Sequence, residues 1–178
     1  LLPVKGGSPD AFAMGGVRNM MAAAPDGTIW VGLADGVALL DATGAVKLYA
    51  QFPGGSVLPQ ALAVDGSGNA WVADAYNSCA VRITPTGQAG RTAATGFGTP
   101  VDIATRADGG VYLASSDRRI AQYLPSGDKQ RDFAPRDAFP QAIAVDSAGA
   151  LWATYAAPVN KVTKIGDDGR IALDVPLG

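Results

Sequence analysis

Titratable chemistry in this chain must come from Asp, Tyr, Lys, Arg and one Cys, because the sequence contains no histidine and all 16 acidic residues are Asp. Without an imidazole there is no Ser-His-Asp or Cys-His nucleophile and no His-held zinc or iron. Any catalysis would run through carboxylates, Tyr, Lys or Arg, or through a metal held by oxygen atoms alone. The one thiol, Cys79, cannot form an intrachain disulfide and shares an alternation face with Val81 and Ile83. It reads as a small buried hydrophobe rather than a reactive thiol. Asp65-Gly-Ser67-Gly-Asn69 sets oxygen groups at positions one, three and five of a calcium loop. Ala70 stands where that loop needs Gly, and Tyr76 where it needs an acid. The segment therefore reads as a turn, as does Asp167-Asp168-Gly169. Gly96-Phe97-Gly98 and Gly6-Gly7-Ser8 lack the Lys and following helix of a phosphate loop. Asp74 and Asn77 read as caps for backbone groups at a strand end.

Apolar residues make up 48% of the chain and charged residues 17%, enough for a sizeable core. A formal charge of −2, with 14 scattered Lys and Arg, argues against nucleic acid as the main partner. No apolar run approaches the ~20 residues of a membrane-spanning helix. The sequence opens Leu1-Leu2-Pro3 without an initiator Met, basic n-region or h-region, as expected of a processed or excised piece of a longer chain.

The elements that would position any site are set by a repeat. Aromatic residues recur at Trp30, Trp71, Tyr112 and Trp152, spaced 41, 41 and 40. Gly27, Gly68, Gly109 and Gly149 precede them in the same register, and Pro59, Pro100 and Pro140 precede three of them, with Arg18 in that place in the first unit. Each unit reads as four short strands. In the second, Ala61–Val64 is a small apolar run, Asp65–Asn69 a turn, Ala70–Asp74 the Trp strand, Ala80–Thr84 an alternating strand, and Gln88 to Ala93 a weaker outer one. A period near 40 with four strands per unit predicts an all-β fold, a β-propeller of four-stranded antiparallel blades. Small first strands suit the crowded axis, and the Trp rings fill the wedge between blades. The expected boundaries are 18–58, 59–99, 100–139 and 140–178, after a leading segment 1–17. That segment either closes the ring on the last blade or belongs to a preceding blade, so the four repeats form a closed ring or part of a larger propeller.

The run Pro59-Gln-Ala-Leu-Ala-Val-Asp-Gly-Ser-Gly-Asn-Ala-Trp-Val-Ala-Asp74, followed by Tyr76-Asn77 and Val81-Arg82-Ile83, resembles the NHL-repeat and streptogramin-lyase-like propellers. The fourth unit, Pro140 to Trp152, is similar, and the resemblance extends from Arg18 onward. Such families include secreted or periplasmic binding propellers, protein- and RNA-binding modules, lactonase-like hydrolases and antibiotic-linearising lyases. The lyases rely on a histidine base and magnesium, and the lactonases on a divalent metal held by Glu, Asn and Asp. Histidine and glutamate are absent here, so the resemblance carries over no catalytic residue and no metal ligand.

In a four-strand meander, the turns between strands one and two and between three and four emerge on one face. Here they are short and stereotyped. The loops between strands two and three, and from blade to blade, emerge on the other, where they are longer and varied. Variation on a rigid scaffold is where function concentrates. The expected partner-binding residues are Tyr76, Asn77, Phe97, Asp117, Arg118, Arg119, Arg136, Phe139 and Tyr155. Their aromatic and Arg content suits a protein or peptide. The sequence therefore predicts a non-catalytic binding or scaffolding propeller, without a cofactor or membrane insertion. Two alternatives stand beside it: a metal-assisted lyase- or lactonase-like hydrolase with a divalent cation in the axial channel, and a structural subunit of a larger complex. The resemblance points to a periplasmic or extracellular location.

Overall fold

One five-residue turn is used eight times to build this protein. In a computed structural model that describes residues 17–54, 57–92, 98–133, 138–156 and 158–177, it closes each blade at two places. In the turn between the first and second strands of the second blade, Asp65 N–H donates to Asn69 O (3.0 Å) and Gly68 N–H to Asp65 O (2.9 Å). The same pair recurs at Ala24–Thr28, Arg106–Gly110 and Asp146–Ala150, and between third and fourth strands at Asp41–Ala45, Thr84–Gln88, Leu124–Asp128 and Gly166–Arg170. Its fourth residue is always a glycine with φ between 80° and 92°, from Gly27 to Gly169, the left-handed region that costs a Cβ-bearing residue about 1 kcal/mol or more. This is the three-residue hairpin loop with a bulge, and it sets the recurring glycines of the sequence.

The strands follow in chain order: β1 (Val17–Ala23), β2 (Ile29–Leu33), β3 (Gly36–Leu40) and β4 (Val46–Gln51) form blade 1. Blade 2 holds β5 (Pro59–Val64), β6 (Ala70–Asp74), β7 (Cys79–Ile83) and β8 (Ala89–Arg91). Blade 3 holds β9 (Pro100–Thr105), β10 (Val111–Ser115), β11 (Arg119–Tyr123) and β12 (Lys129–Phe133). Blade 4 holds β13 (Pro140–Val145), β14 (Leu151–Tyr155), β15 (Lys161–Ile165) and β16 (Ile171–Pro176). Each blade is an antiparallel meander, and the sheets share no strand. The inner strands β1, β5, β9 and β13 pack in succession, which makes the array a β-propeller. No helix is long and apolar enough to cross a membrane among the described residues. The leading segment lies outside them as far as residue 16. The outer strand of blade 2 begins at Ala89 rather than at the Gln88 expected, because Gln88 is taken up by the turn; Ala93, its expected end, lies outside the described residues.

Each ring is matched across the sheet by a small residue: Trp30 pairs with Ala22, Trp71 with Ala63, Tyr112 with Ala104 and Trp152 with Ala144. The rings then project onto the following blade. Trp71 sits among Ile103, Val111, Leu113 and Tyr123, and Tyr112 beside Ile143, Leu151, Ala153 and Ile165. The ring polar groups follow a rule six residues long. Asp65 Oδ2 accepts from Trp71 Nε1 at 3.0 Å, and Asp146 Oδ2 from Trp152 Nε1 at 2.9 Å. In blade 3 both partners change together: Arg106 replaces the Asp and donates to the Tyr112 hydroxyl at 2.6 Å. Blade 1 has Ala24 at this position, and Trp30 Nε1 reaches instead to Gly68 O of blade 2 at 2.9 Å. A buried polar group must find a partner: the three indole N–H groups find acceptors, in their own blade or the next, and the Tyr112 hydroxyl accepts from Arg106.

Candidate functional site

The varied loops share one face, as the meander requires, and hydrogen bonds join each blade's middle loop to its own entry or exit. Ala75 N–H donates to Leu58 O and Ser116 N–H to Thr99 O, both at 2.9 Å; Leu177 N–H donates to Asn160 O at 2.7 Å. One residue before or at the start of the third strand, blades 2, 3 and 4 each carry a non-glycine residue at positive φ: Ser78 at 51°, Arg118 at 70° and Asn160 at 37°. The middle loops therefore turn by a shared device while differing in sequence.

In blade 2 the loop is organised from below by Asp74, which is fully buried. Its Oδ1 accepts from the backbone N–H groups of Leu58 (3.2 Å), Tyr76 (3.0 Å) and Asn77 (3.3 Å), and its Oδ2 from Asn77 Nδ2 (2.6 Å). The Arg91 guanidinium lies 3.7 Å away. Asp74 is thus the cap expected from the sequence. Asn77, half-buried, is part of this cap as well as of the loop surface. Tyr76 is held above it at 68% exposure. Beneath the loop, Cys79 is buried, and burial together with the Asp74 charge pushes its thiol up to about 11. It has no thiolate character at neutral pH.

In blade 3 the Asp117 and Arg119 side chains pair, with Nε of Arg119 at 2.9 Å from Oδ2 of Asp117. Burial opposes the Asp117 charge, but hydrogen bonds from Arg119, Gly98 N–H and Ser115 outweigh it and hold the carboxyl below its ordinary value. Arg118, between them, is exposed and lies over the Phe139 ring at 4.5 Å from its centroid. This contact joins the blade 3 loop to the segment entering blade 4. Phe139 is 40% exposed.

The structure therefore brings together Arg118 and Phe139, and Asp117 and Arg119, and places Tyr76 and Asn77 on the same face. Tyr155 differs: it lies in the core between blades 3 and 4, with Lys161 Nζ 5.6 Å from its ring centroid. It follows Leu151 and Ala153 on the buried side of β14, an alternation visible in the sequence. Phe97 and Arg136 lie outside the described residues.

The opposite face opens on a cavity of about 450 Å³ lined by the first turns of all four blades, including Ala24, Asp65, Arg106 and Asp146. Its two carboxylates are engaged. Asp65 accepts from Ser67 N–H, Asn69 and Trp71, and Asp146 from Ala148 and Ala150 N–H, Trp152 and Lys164. Among the described residues no group of three or more acidic or thiol side chains gathers to hold a metal.

Hydrogen-bonded Asp carboxyls elsewhere, together with Asp146, make stability pH-dependent. Hydrogen bonds lower Asp26 (from Thr28), Asp41 (from Thr43), Asp108 (from Arg106), Asp146 (from Trp152, then Lys164) and Asp174 (from Thr163, then Lys161) below 3.8. Asp102 is shifted the other way by burial, despite accepting from Ile143 and Ile103 N–H. A lowered carboxyl contributes stability that is full above its unfolded value and lost as pH falls through the folded one. Asp102 favours the fold below its unfolded value and loses that contribution as pH rises through its raised one. The lowered groups outnumber it. The melting temperature is expected to be flat between about pH 7 and 5 and to fall below about pH 4, as circular dichroism would follow; a rise on acidification would contradict these assignments.

Solved structures share the architecture. The chain aligns with a streptogramin B lyase at a TM-score of 0.77 and 22% identity, over 96% of this chain and 56% of that one. A catalytically inactive histidine-to-alanine form of virginiamycin B lyase from Staphylococcus aureus, with quinupristin, aligns at 0.77 and 20%, over 88% and 54%. The fold is that of a streptogramin-lyase-like β-propeller. A gluconolactonase-like propeller also aligns, at 0.70 and 16%, over 89% of this chain and 62% of that one. This propeller spans about half the length of the lyase structures it matches. No family model matches it, and no curated protein matches it in sequence.

Proposed function

We propose that this chain is a non-catalytic binding propeller that presents its varied loop face to a peptide or protein segment. The observation that carries the reading is the pairing of exposed aromatic and guanidinium groups on a braced surface. Tyr76 stands above the Asp74 cap, and Arg118 stacks on Phe139 across the joint between blades 3 and 4. Tyr and Arg recur among the residues that dominate interface energetics, and a braced backbone lowers the ordering cost of binding. The net charge of −2 supports a protein partner over nucleic acid. The absence of histidine supports the non-catalytic reading, since a structural neighbour is catalytically inactive once a histidine is replaced by alanine.

A displayed peptide library selected on the immobilised protein tests this. Selected peptides are expected to bind Tyr76→Ala and Arg118→Ala at least about 10-fold more weakly than the parent protein, while both variants melt as the parent does. Peptides that bind the parent and the double variant equally would place the site elsewhere.

A further inference from the structure

Each blade carries a row of four residues, one per strand, that runs through the ring to the rim. In blade 1 the row is Ala22, Trp30, Leu39 and Leu48, and in blade 3 it is Ala104, Tyr112, Gln122 and Arg131. Blade 4 has Ala144, Trp152, Lys164 and Leu173. In blade 2 the row is Ala63, Trp71, Arg82 and Gly90. The outermost residue covers the joint with the next blade. Leu48 does so at 4% exposure. Arg131 does so by donating to Gln122 Oε1 at 2.7 Å and to Asp167 O of blade 4 at 2.6 Å. Blade 2 has no side chain at this place.

The fold itself does not call for that glycine. Its φ lies outside the left-handed region. β7 and β8 pair without the register shift that the other three blades carry beside this position. A Cβ on Gly90 would meet no atom within 4 Å. Glycine weakens a strand, and where no bulge, bend or tight packing accounts for it, the use that remains is close approach by a ligand.

The space left is a groove of about 280 Å³ between blades 2 and 3, bordered by Arg82, Gln88, Gly90, Thr92, Pro125 and Gly127 among others. Blades 2 and 3 form both walls by themselves, and they are tied together across it. Arg82 Nη1 donates to Pro125 O at 2.9 Å. Gly127 passes so close to blade 2 that a Cβ on it would come within 3.2 Å of Thr92 Cα. The volume falls just under the roughly 300 Å³ at which pockets for drug-sized ligands begin. It suits a small molecule or one inserted side chain.

Its chemistry is set by Arg82. This residue is half-buried, lies 5.8 Å over the Trp71 ring, and forms no ion pair among the described residues. No carboxylate side chain lines the groove, and Arg91 turns its guanidinium away to Pro53 O and Asp74. A guanidinium has several N–H groups in one plane, and Pro125 takes one of them. The rest of the fork matches a carboxylate, and the exposed Gln88 amide is a further donor on the same groove.

We propose that this groove binds a carboxylate, carried by a small free acid or by an acidic side chain of a peptide, which pairs with Arg82 and lies over Gly90 where Leu48 and Arg131 lie in blades 1 and 3. NMR titration with glutarate, for the free acid, and with N-acetylglutamic acid amide, for the side chain, tests it. Both are expected to shift the Gly90 amide and the Arg82 Nε–H, saturating at about millimolar concentration, and the tighter of the two names the source. N-acetylglutamine amide, which is neutral, should shift neither signal. Gly90→Leu should melt no lower than the parent, since the space is open, and should bind at least about 10-fold more weakly; Arg82→Gln should weaken binding by a similar factor. Tyr76→Ala and Arg118→Ala should leave the titration unchanged, which separates this site from the loop face. The proposal is overturned if neither acid shifts these signals up to about 50 mM, if the neutral amide or inorganic phosphate shifts them equally, or if Gly90→Leu binds as the parent does. A melting temperature of Gly90→Leu well below the parent's would show that the groove is not open, and would overturn it too.

Discussion

Trp71→Ala should cost about 3–5 kcal/mol, which for a chain of this size is about 10–15 °C in melting temperature. The ring is 1% exposed and fills the wedge against Ile103, Val111, Leu113 and Tyr123 of the next blade. Its neighbours cannot collapse into the space, because both sheets are held by their own ladders and Ala63 and Ala73 beside it are too small to reach across. Two further losses add to the cavity: Asp65 Oδ2 loses the indole N–H, and Arg82 loses the ring it covers. The control is Trp152→Ala, whose half-buried ring should cost about half as much. Equilibrium denaturation followed by circular dichroism reads both. A loss below about 1 kcal/mol for Trp71→Ala would mean that the wedge is not where the joint is held.

That contrast shows what was legible in the sequence. The spacing of Trp30, Trp71, Tyr112 and Trp152 announces identical units, and the recurring glycines announce one repeated turn, because both are local requirements of a blade. The covering of each ring depends on the neighbouring blade. Trp152 keeps the same register as Trp71 yet ends half-exposed. The acceptors were within reach of a closer reading. Asp65 and Asp146 stand six residues before their Trp, and Arg106 six before Tyr112, so the pairing is written in the chain and only its geometry is new.

The loop face was legible less evenly. Tyr76 and Tyr155 both fall at the end of a second strand, and residue type cannot separate them. Phase can: Tyr155 keeps step with Leu151 and Ala153 on the buried side, whereas Tyr76 lies beyond the strand, after Asp74 has turned the chain. The stacking of Arg118 on Phe139 links two blades. No local pattern encodes it, since it depends on the angle at which blade 4 follows blade 3.

Asp74→Ala should be the second large effect, and it should reach the binding face from below. Removing the carboxylate takes the acceptor from three backbone N–H groups, Leu58, Tyr76 and Asn77, and from the Asn77 amide, and leaves Arg91 without its acidic neighbour. Hydrogen bonds to a charged acceptor are worth about 1.5–3 kcal/mol each, and water entering a loosened loop recovers part of that. A net cost of about 3–5 kcal/mol is expected, in the range for breaking a buried charged network. Asp74→Asn should cost less. Its amide oxygen can keep the three backbone donors at the Oδ1 position, while the new NH2 group meets the Asn77 amide as donor against donor. The two variants therefore separate stability from display. With Ala the loop loses the cap that holds Tyr76 above it, so peptide binding should fall even at temperatures where the protein remains folded. With Asn, binding should stay closer to the parent. Calorimetric melting and titration with a selected peptide read the two quantities independently. If Asp74→Ala destabilises as expected but binds the peptide with full affinity, the blade 2 loop is ornamental, and the contact surface must be carried by Arg118 and Phe139 alone.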